Sequence, residues 1–301
     1  MEYLRDWDEV IKNVRGGDRV KKVVVASAQD DHCLEAVAKV AKDGLVCPVL
    51  VGDGNLMKPL IDKYGLRVEG ENFLHRPDPV DAARASVRLI KEGKGDFLMK
   101  GSLETAQLLK AVVDKENGLG KGRLMSHVSF QRLPAYHKML LSTDGGMVLY
   151  PDLAQKKEIL QNAVDTLLAL GYEKPKVAVL AAVEKVNPKM PESVDAEALK
   201  TMNRKGEITG CVVEGPISMD LALVREKAAI KKYESPVAGE ADILLVPNIV
   251  TGNCVGKAFV EMAGAKMAGL IVGAKVPIVV TSRASSAEEK YLSLILAAAG
   301  A

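Results

Sequence analysis

The stretch VPIVVTSRASSAEEK, from Val276 to Lys290, joins an apolar β-branched run directly to a cluster of small hydroxyl, basic and acidic side chains. The run VPIVV is typical of a short strand that is buried on both faces of a sheet. The following segment AEEKYLSLILAAAG has the composition and apolar spacing of a helix, and a serine just before it can cap it. The polar cluster is therefore predicted to lie in a strand-to-helix turn. In open α/β sheets such turns form the ligand crevice, and the free N–H groups of a helix start attract anions.

The rest of the chain repeats this alternation of short apolar strands and amphipathic helices. Segments such as KVVVAS, CPVLVG and DFLMKG alternate with helix-like segments, many of which end on glycine. The pattern predicts an α/β fold with mostly parallel sheets. A second α/β series begins after Ser142 with LAQKKEILQNAVDTLLALG, and the last strand and helix are expected to return to the first series. The layout predicts a first domain of residues 1–141 and 273–301 and a second of residues 142–272, with a cleft between them.

Composition and charge exclude several classes of function. The chain has 301 residues, 48% of them hydrophobic, which is enough for two cores, and its net charge of +2 requires neither nucleic acid nor an acidic membrane as partner. Its longest apolar stretches are shorter than the roughly 20 residues of a membrane span. The charged N-terminus MEYLRDWDEV cannot be the apolar region of a signal peptide. We expect a cytoplasmic protein without nucleic-acid or membrane partners.

The cysteine and histidine pattern does not indicate a metal site. The four cysteines are far apart and form no CxxC pair, so they are expected to be free thiols of a reducing compartment. The four histidines share no ligand spacing, and no HExxH motif occurs. The sequence therefore predicts no metal.

Small polar clusters follow three further predicted strands. They are LMKGSLETA, with Lys100, Ser102 and Thr105, VVEGPISMD, and LLVPNIVTGNCVGK. Glycine in each cluster allows backbone to approach a ligand closely, and Ser, Thr and Asn offer neutral donors. For each cluster alone, helix capping, a turn or a solvated lysine is the favoured explanation. Their recurrence after four separate strands favours a polar site for an anionic ligand.

These motifs resemble those of a known family. MKGSLETA, STDGGMVLYPDLAQKKEIL, VEGPISMDLAL, LLVPNIVTGNCVGK and TSRASSAEEK are similar to the successive motifs of the phosphate acetyl/butyryltransferases, and at this length especially of the phosphate butyryltransferases. The resemblance runs from about Ser27 to the C-terminus. It implies two α/β/α domains around an interdomain cleft and a homodimer or higher homo-oligomer. It also implies the reaction acyl-CoA plus phosphate giving acyl phosphate plus CoA, with CoA and phosphate as substrates and no metal or redox cofactor.

Acyl transfer of this kind needs an anion cradle and a base for a thiol. Arg283 offers a planar, permanently charged fork for phosphate oxygens. Ser282 and the N–H groups of the helix start can complete the cradle. The resemblance implies an acid six residues after the arginine, which is Glu289 here, where the acetyltransferases commonly have aspartate. This carboxylate would accept the proton of the CoA thiol.

Further substrate contacts are expected after the other strands. Lys110 is similar to a basic position that the family uses near the CoA or phosphate groups, with Lys in place of Arg, although an exposed helix lysine explains it nearly as well. Lys100, Ser102 and Thr105 are further candidates. Thr251 and Asn253 are expected to hold the acyl carbonyl or the phosphate.

Two alternatives concern the residues of the site. Either Ser285 with Glu288 or Ser286 with Glu289 fits the S-x-x-E capping box. We favour Ser285 as the cap, which would leave Glu289 free for chemistry. Cys254 could carry an acyl group, but no histidine lies near it in the sequence to activate it, so direct transfer in a ternary complex is preferred.

Three alternatives concern the activity. Acetyl-CoA could be the main substrate in place of butyryl-CoA. The protein could be a non-catalytic module that binds CoA or phosphate. The predicted cleft also resembles that of decarboxylating dehydrogenases and related metal-dependent enzymes, but the sequence lacks the clustered aspartates that would bind their divalent ion.

Overall fold

The computed structural model describes residues 1–68, 70–282 and 285–301. The chain divides into two domains. The first consists of residues 7–123 and 268–301, and the second of residues 1–6 and 124–267. The predicted α/β class with mostly parallel sheets is confirmed.

The strands coincide with the short apolar segments of the sequence, apart from the three-residue β3, which carries no periodic signal. They are β1 (Lys21–Ala26), β2 (Val46–Gly52), β3 (Phe73–His75), β4 (Phe97–Lys100), β5 (Ser126–Arg132), β6 (Met139–Thr143), β7 (Lys176–Leu180), β8 (Val212–Ile217), β9 (Ile243–Leu245), β10 (Lys266–Val272) and β11 (Ile278–Val279).

Several helices begin and end where capping chemistry predicts. Aspartates before three of the early helices accept backbone N–H groups, and Gly65 ends one of these helices in the left-handed conformation. The helices are α1 (Trp7–Arg15), α2 (Asp31–Lys42), α3 (Gly54–Tyr64), α4 (Pro79–Lys91), α5 (Thr105–Val112), α6 (Leu153–Ala169), α7 (Pro191–Arg204), α8 (Met219–Leu223), α9 (Arg225–Ile230), α10 (Ile249–Glu261) and α11 (Ala287–Ala299), with a short 3₁₀ turn at Gly70–Asn72.

The first domain has a sheet with the strand order β3-β2-β1-β4-β11-β10. Its strands are parallel except for β10, which is antiparallel to β11. The run VPIVV forms the short β11, in which Ile278 lies opposite Leu98 of β4. Helix α11 packs against α2 and α1, and α4 packs against α5 and β1. The carboxyl ends of β1, β2, β4 and β11 therefore lie at one edge of this sheet.

The second domain has a sheet with the strand order β5-β6-β9-β7-β8. Here β5 and β6 form an antiparallel pair, and the remaining neighbours are parallel. The core includes Leu140, Ala178 and Leu244 from the strands and Phe259 from α10, all of them buried. The carboxyl ends of β6 and β9 and the start of β5 share one edge.

The domain boundaries differ from those expected from the sequence. The expected boundary at residue 142 assigns β5 and most of β6 to the first domain. In the structure β6 pairs with β9, with Leu141 opposite Ile243, so this hairpin belongs to the second domain. The return to the first domain comes at residue 268 rather than 273, because Ile271 of β10 pairs with Ile278 of β11. Strand pairing decides both positions, and it is not visible in local composition.

A buried ion pair joins the residues that directly precede β6 and β9. It lies at the opposite end of these strands from the edge that their carboxyl ends share. The Nζ of Lys138 lies 2.7 Å from Oδ1 of Asp242, and the two side chains are 2% and 3% exposed. Lys138 also donates to the carbonyl of Glu240 at 2.8 Å, and Asp242 accepts the backbone N–H of Lys176 at 2.7 Å. Burial raises the pKa of Asp242 despite the neighbouring ammonium. Each charge is therefore stable in this position only while the other is present.

Among the described residues, no helix combines the length and the apolar composition that a membrane span needs.

We expect the substitution Lys138→Met to destabilise the protein strongly. It removes one partner of the buried pair and leaves Asp242 without its counter-ion, a change that costs about 3–5 kcal/mol in comparable cases. Urea unfolding measures the effect. The matched control is Lys157→Met, which breaks a pair with Glu207 whose side chains are 37% and 48% exposed. The control should lose less than about 1 kcal/mol. Equal losses in the two variants would contradict a special role for the buried pair.

Candidate active site

The turn after β4 is held by direct contact with the end of β1. The N–H of Gly101 donates to the carbonyl of Ala26 at 2.8 Å, and the N–H of Ser102 donates to the carbonyl of Ser27 at 2.8 Å. A Cβ atom on Gly101 would lie 2.1 Å from the carbonyl oxygen of Ser27, so only glycine fits this approach. The exposed Ser102 also donates its hydroxyl to the same carbonyl at 3.2 Å. Ser102 is thereby placed at the carboxyl edge of the first-domain sheet.

Two further candidates lie in the same turn. The Nζ of Lys100 donates to the carbonyl groups of Gly101 and Leu103, at 3.2 and 3.1 Å, so it stabilises the loop. Half-buried Thr105 is the first residue of α5, behind the N-cap Glu104. The structure thus gives Lys100 a role in the turn itself and places Thr105 at a helix start.

Lys110 is exposed on α5 and borders a groove between α4 and α5. The groove has a volume of about 550 Å³. Valine and alanine side chains contribute an apolar part, and four basic side chains and two acidic ones surround it. The residues that line it are Val80, Arg84, Val87, Arg88, Lys91, Glu92, Gln107, Lys110, Ala111, Asp114 and Asn117.

The turn before α11 has a different capping register from the one we favoured. Ser286 is the N-cap, and its Oγ accepts the N–H of Glu289 at 3.1 Å. The expectation that Ser285 is the cap is therefore wrong. The hydroxyl of Ser285 instead accepts the N–H of Ser282 at 3.1 Å and donates to Oε1 of Glu289 at 2.7 Å. The backbone N–H of Glu289 donates to the cap Ser286, whereas its side-chain carboxylate accepts a hydrogen bond from Ser285.

In this arrangement one oxygen of the Glu289 carboxylate accepts a hydrogen bond from Ser285. Its Oε2 has no hydrogen bond within the described part of the chain. Ser282, the other candidate here, is exposed at the start of the turn. Arg283, the predicted phosphate ligand, lies outside the described residues.

Sequence reasoning missed Lys290, which stabilises the same turn. Its side chain is almost fully buried, and its Nζ donates to the carbonyl of Ser285 at 2.8 Å and more weakly to that of Ser282 at 3.5 Å. A signal was present in the sequence, because Lys290 precedes Leu294 by four residues and Ala297 by seven. That spacing places the lysine on the apolar face of α11.

The PNIVTGN motif forms the start of α10 in the second domain. The Oδ1 of Asn248 caps the helix by accepting the N–H of Thr251 at 3.0 Å and its hydroxyl at 3.2 Å. Thr251 thus stabilises the helix start. Asn253 is exposed, and its Nδ2 donates to the carbonyl of Gly145 at a long 3.4 Å.

The STDGG motif packs directly against this helix start. A Cβ on Gly252 would lie 2.7 Å from the Cα of Gly145, so the two backbones touch. The carboxylate of buried Asp144 holds the loop in shape by accepting four backbone N–H groups. The donors are His127 at 2.9 Å, Gly146 and Met147 at 2.8 Å each, and Val148 at 3.3 Å. Two motifs far apart in the sequence therefore form one structural unit.

The GPISMD motif is engaged in local structure. Glu214 forms an ion pair with Lys200 and accepts the N–H of Gly215 at 3.0 Å. Burial opposes ionisation of Glu214, but these partners hold its pKa below the ordinary value. The hydroxyl of Ser218 donates to Oε1 of Glu184 at 2.6 Å. These contacts explain the motif as a structural element after β8.

The described residues contain no group of three or more His, Cys, Asp or Glu side chains that could hold a metal ion. Cys254 is exposed on α10, one residue after Asn253.

Comparison with known proteins agrees with the motifs. The profile of the family described as phosphate acetyl/butaryl transferase matches residues 75–298. The chain is 41% identical to the phosphate butyryltransferase of Clostridium acetobutylicum, with 98% of each chain covered. It is 40% identical to the phosphate acetyltransferase of Thermotoga maritima, with 97% of this chain and 98% of that one covered. A crystal structure of a branched-chain phosphotransacylase from Enterococcus faecalis V583 superposes with a TM-score of 0.82 at 35% identity, covering 93% of this chain and 99% of that one.

The order of the motifs, the α/β architecture and the match over nearly the whole chain lead to one conclusion: this chain belongs to the phosphate acetyl/butyryltransferase family of acyltransferases.

Proposed function

We propose that this protein transfers a short acyl group between CoA and inorganic phosphate, with butyryl-CoA as a principal substrate. The observation that carries the proposal is the turn before α11. There, Ser282, Ser285 and the carboxylate of Glu289 are joined by hydrogen bonds at a helix start. A base beside an anion-binding helix terminus suits a reaction between a thiol and an acyl phosphate.

The bond changes define what the site must do. In one direction a phosphate oxygen attacks the thioester carbonyl carbon, the C–S bond breaks, and the CoA sulfur takes up a proton. In the other the thiol loses its proton, the sulfur attacks the acyl phosphate carbonyl, and the C–O bond to phosphate breaks. No atom changes oxidation state through an external donor, so the transfer itself requires no redox cofactor. We propose direct transfer in a ternary complex.

Glu289 is the proposed base for the CoA thiol. Its Oε1 is oriented by the Ser285 hydroxyl at 2.7 Å, which leaves Oε2 for the substrate. Arg283 is the proposed phosphate ligand, since its guanidinium can donate two parallel hydrogen bonds to phosphate oxygens. Ser282, the preceding residue in the sequence, is proposed to add its hydroxyl.

The groove between α4 and α5 is proposed to bind the nucleotide end of CoA. Its apolar part suits an adenine ring, and Arg84, Arg88, Lys91 and Lys110 can interact with the diphosphate and ribose phosphate. Ser102 and Thr105, at the start of the helix that carries Lys110, are proposed to contact the same substrate. Lys100 would act mainly by holding their turn. Thr251 and Asn253 are proposed to contact the acyl group or the phosphate.

The acyl chain length distinguishes two forms of the proposal, because one relative is named for butyryl transfer and another for acetyl transfer. One methylene contributes only about 1–3 kcal/mol of discrimination, so both substrates can be turned over. The deciding assay follows phosphate-dependent CoA release from acetyl-, propionyl- and butyryl-CoA, with acyl phosphate trapped by hydroxylamine. We expect release to require phosphate. Stoichiometric CoA binding without turnover would instead identify a binding module.

Assembly into a homo-oligomer stays a prediction.

We expect Arg283→Lys to raise the KM for phosphate about tenfold to hundredfold. Lysine keeps the charge but cannot form the bidentate contact, and one charge-assisted hydrogen bond contributes about 1.5–3 kcal/mol. Initial rates at varied phosphate concentration measure the change. Arg204→Lys, at an exposed position in the last turn of α7, is the control and should match the wild type. An unchanged phosphate KM in Arg283→Lys would remove this residue from the phosphate site.

We expect Glu289→Gln to lower kcat roughly 10²–10⁴-fold, the usual contribution of a general base. The melting temperature should change little, because glutamine can still accept the hydrogen bond from Ser285. Glu288→Gln, at the exposed neighbouring position, is the control and should retain activity. A loss of activity in Glu288→Gln with none in Glu289→Gln would assign the base to Glu288. Full activity in both variants would show that neither carboxylate is the base.

A further inference from the structure

His127 lies at the start of β5, and its main chain is fixed on both sides. Its N–H donates to Oδ2 of Asp144 at 2.9 Å, and its carbonyl accepts the hydroxyl of Thr143 at 2.8 Å. The side chain is half-buried. The backbone of this histidine is therefore held in place without any use of its imidazole.

The imidazole packs on the STDGG loop. A Cβ on Gly146 would lie 2.9 Å from Cγ and 3.0 Å from Nδ1 of His127, so the ring lies directly on this glycine. Nδ1 is buried and has no hydrogen-bond partner in the described part of the chain. Buried polar atoms without partners are uncommon in folded proteins, and each one calls for a reason.

The environment of the ring favours the neutral form, and the buried Nδ1 favours the tautomer with its proton on Nε2. Burial lowers the pKa of His127, and the charge of Asp144 opposes this shift without cancelling it. A neutral imidazole carries one N–H donor and one acceptor. An unpaired N–H is the costlier group to bury, so Nδ1 is the bare acceptor and Nε2 the donor. In this tautomer Nε2–H is the hydrogen-bond donor of the His127 side chain.

The place of His127 along β5 relates it to α10. His127, Ser129 and Gln131 alternate along β5 and share one face of the strand. Gln131 lies beside α10, with its Nε2 3.9 Å from the place of a Cβ on Gly256, and its own Oε1 is also buried without a partner among the described residues. His127 is four residues nearer the edge of the sheet where α10 begins.

The STDGG loop lies between His127 and the start of α10 and contacts both. Gly146 contacts the His127 ring, and the adjacent Gly145 contacts Gly252 and accepts the Asn253 amide. Two consecutive glycines therefore separate the imidazole from the proposed substrate contacts of α10.

We propose that His127 is a catalytic residue of the acyl transfer whose Nε2–H donates a hydrogen bond to the carbonyl oxygen of the acyl group. This inference rests on the proposed function. When the phosphate oxygen attacks the carbonyl carbon, the π electron pair moves onto the carbonyl oxygen, and the imidazole N–H stabilises that negative charge. The pair returns to re-form the carbonyl as the C–S bond breaks, and the thiolate leaves. His127 neither gains nor loses a proton in this step.

Kinetics of two His127 variants test the role. Removing one donor from an oxyanion site lowers kcat about 10²–10³-fold, so we expect a loss of this size in His127→Phe, which fills the space without a donor. His127→Gln keeps a side-chain N–H and should recover part of the rate. The control is His137→Phe and His137→Gln, at a histidine that packs against Tyr3 and Tyr136, and both should stay within twofold of the wild type. A kcat in His127→Phe within twofold of the wild type would overturn the proposal.

A measurement on the wild-type protein does not depend on the folding of a variant. With ¹⁵N-labelled histidine, addition of butyryl-CoA without phosphate should shift the Nε2 resonance of His127, whereas CoA, which lacks the acyl carbonyl, should not. No shift with butyryl-CoA, or the same shift with CoA, would overturn the contact even if the variants are slow. Failure of the wild type to release CoA would count against the proposed function, and the spectrum would still decide whether His127 contacts the acyl group.

Discussion

Direct contact between backbones is the constraint on which both groups of candidate residues depend. Gly101 lies against the carbonyl of Ser27 in the first domain, and Gly145 lies against Gly252 in the second. A side chain at any of these glycines would push the two loops apart. The absence of a Cβ lets loops from distant parts of the sequence share hydrogen bonds, and these loops carry Ser102 in one domain and Asn253 in the other.

Most polar side chains near these contacts hold the loops in shape. Lys100, Thr251 and Ser218 each have hydrogen-bond partners within their own turn or an adjacent one. Asp144 accepts four backbone N–H groups, and buried Lys290 binds two carbonyl groups. A polar motif at a strand end is therefore not in itself a set of ligand contacts. The candidates for chemistry are groups with atoms that have no hydrogen-bond partner in the part of the chain that the structure describes, above all the Glu289 carboxylate and the His127 imidazole.

The turn before α11 shows how one local rule can have two outcomes. Ser285 and Ser286 both satisfy the S-x-x-E pattern, and the pattern cannot choose between them. In the structure Ser286 caps the helix, and Ser285 bridges Ser282 and Glu289. The hydrogen-bond partners that each serine finds in three dimensions, and not the pattern, distinguish the two.

The sequence by itself determined the α/β class, nearly all the strands, and the family, because apolar periodicity and ordered motifs are properties of local sequence. Only the tertiary structure decided the domain boundaries, since β6 joins the second domain by pairing with β9, about a hundred residues later in the chain. It also decided that Ser286 is the cap and that Lys290 is buried. His127 became a candidate in the same way, because the burial of its Nδ1 without a partner among the described residues is visible only after β5, the STDGG loop and α10 have packed together. Hydrogen-bond satisfaction is a property of three-dimensional neighbours, and a linear pattern cannot report which polar groups have found a partner.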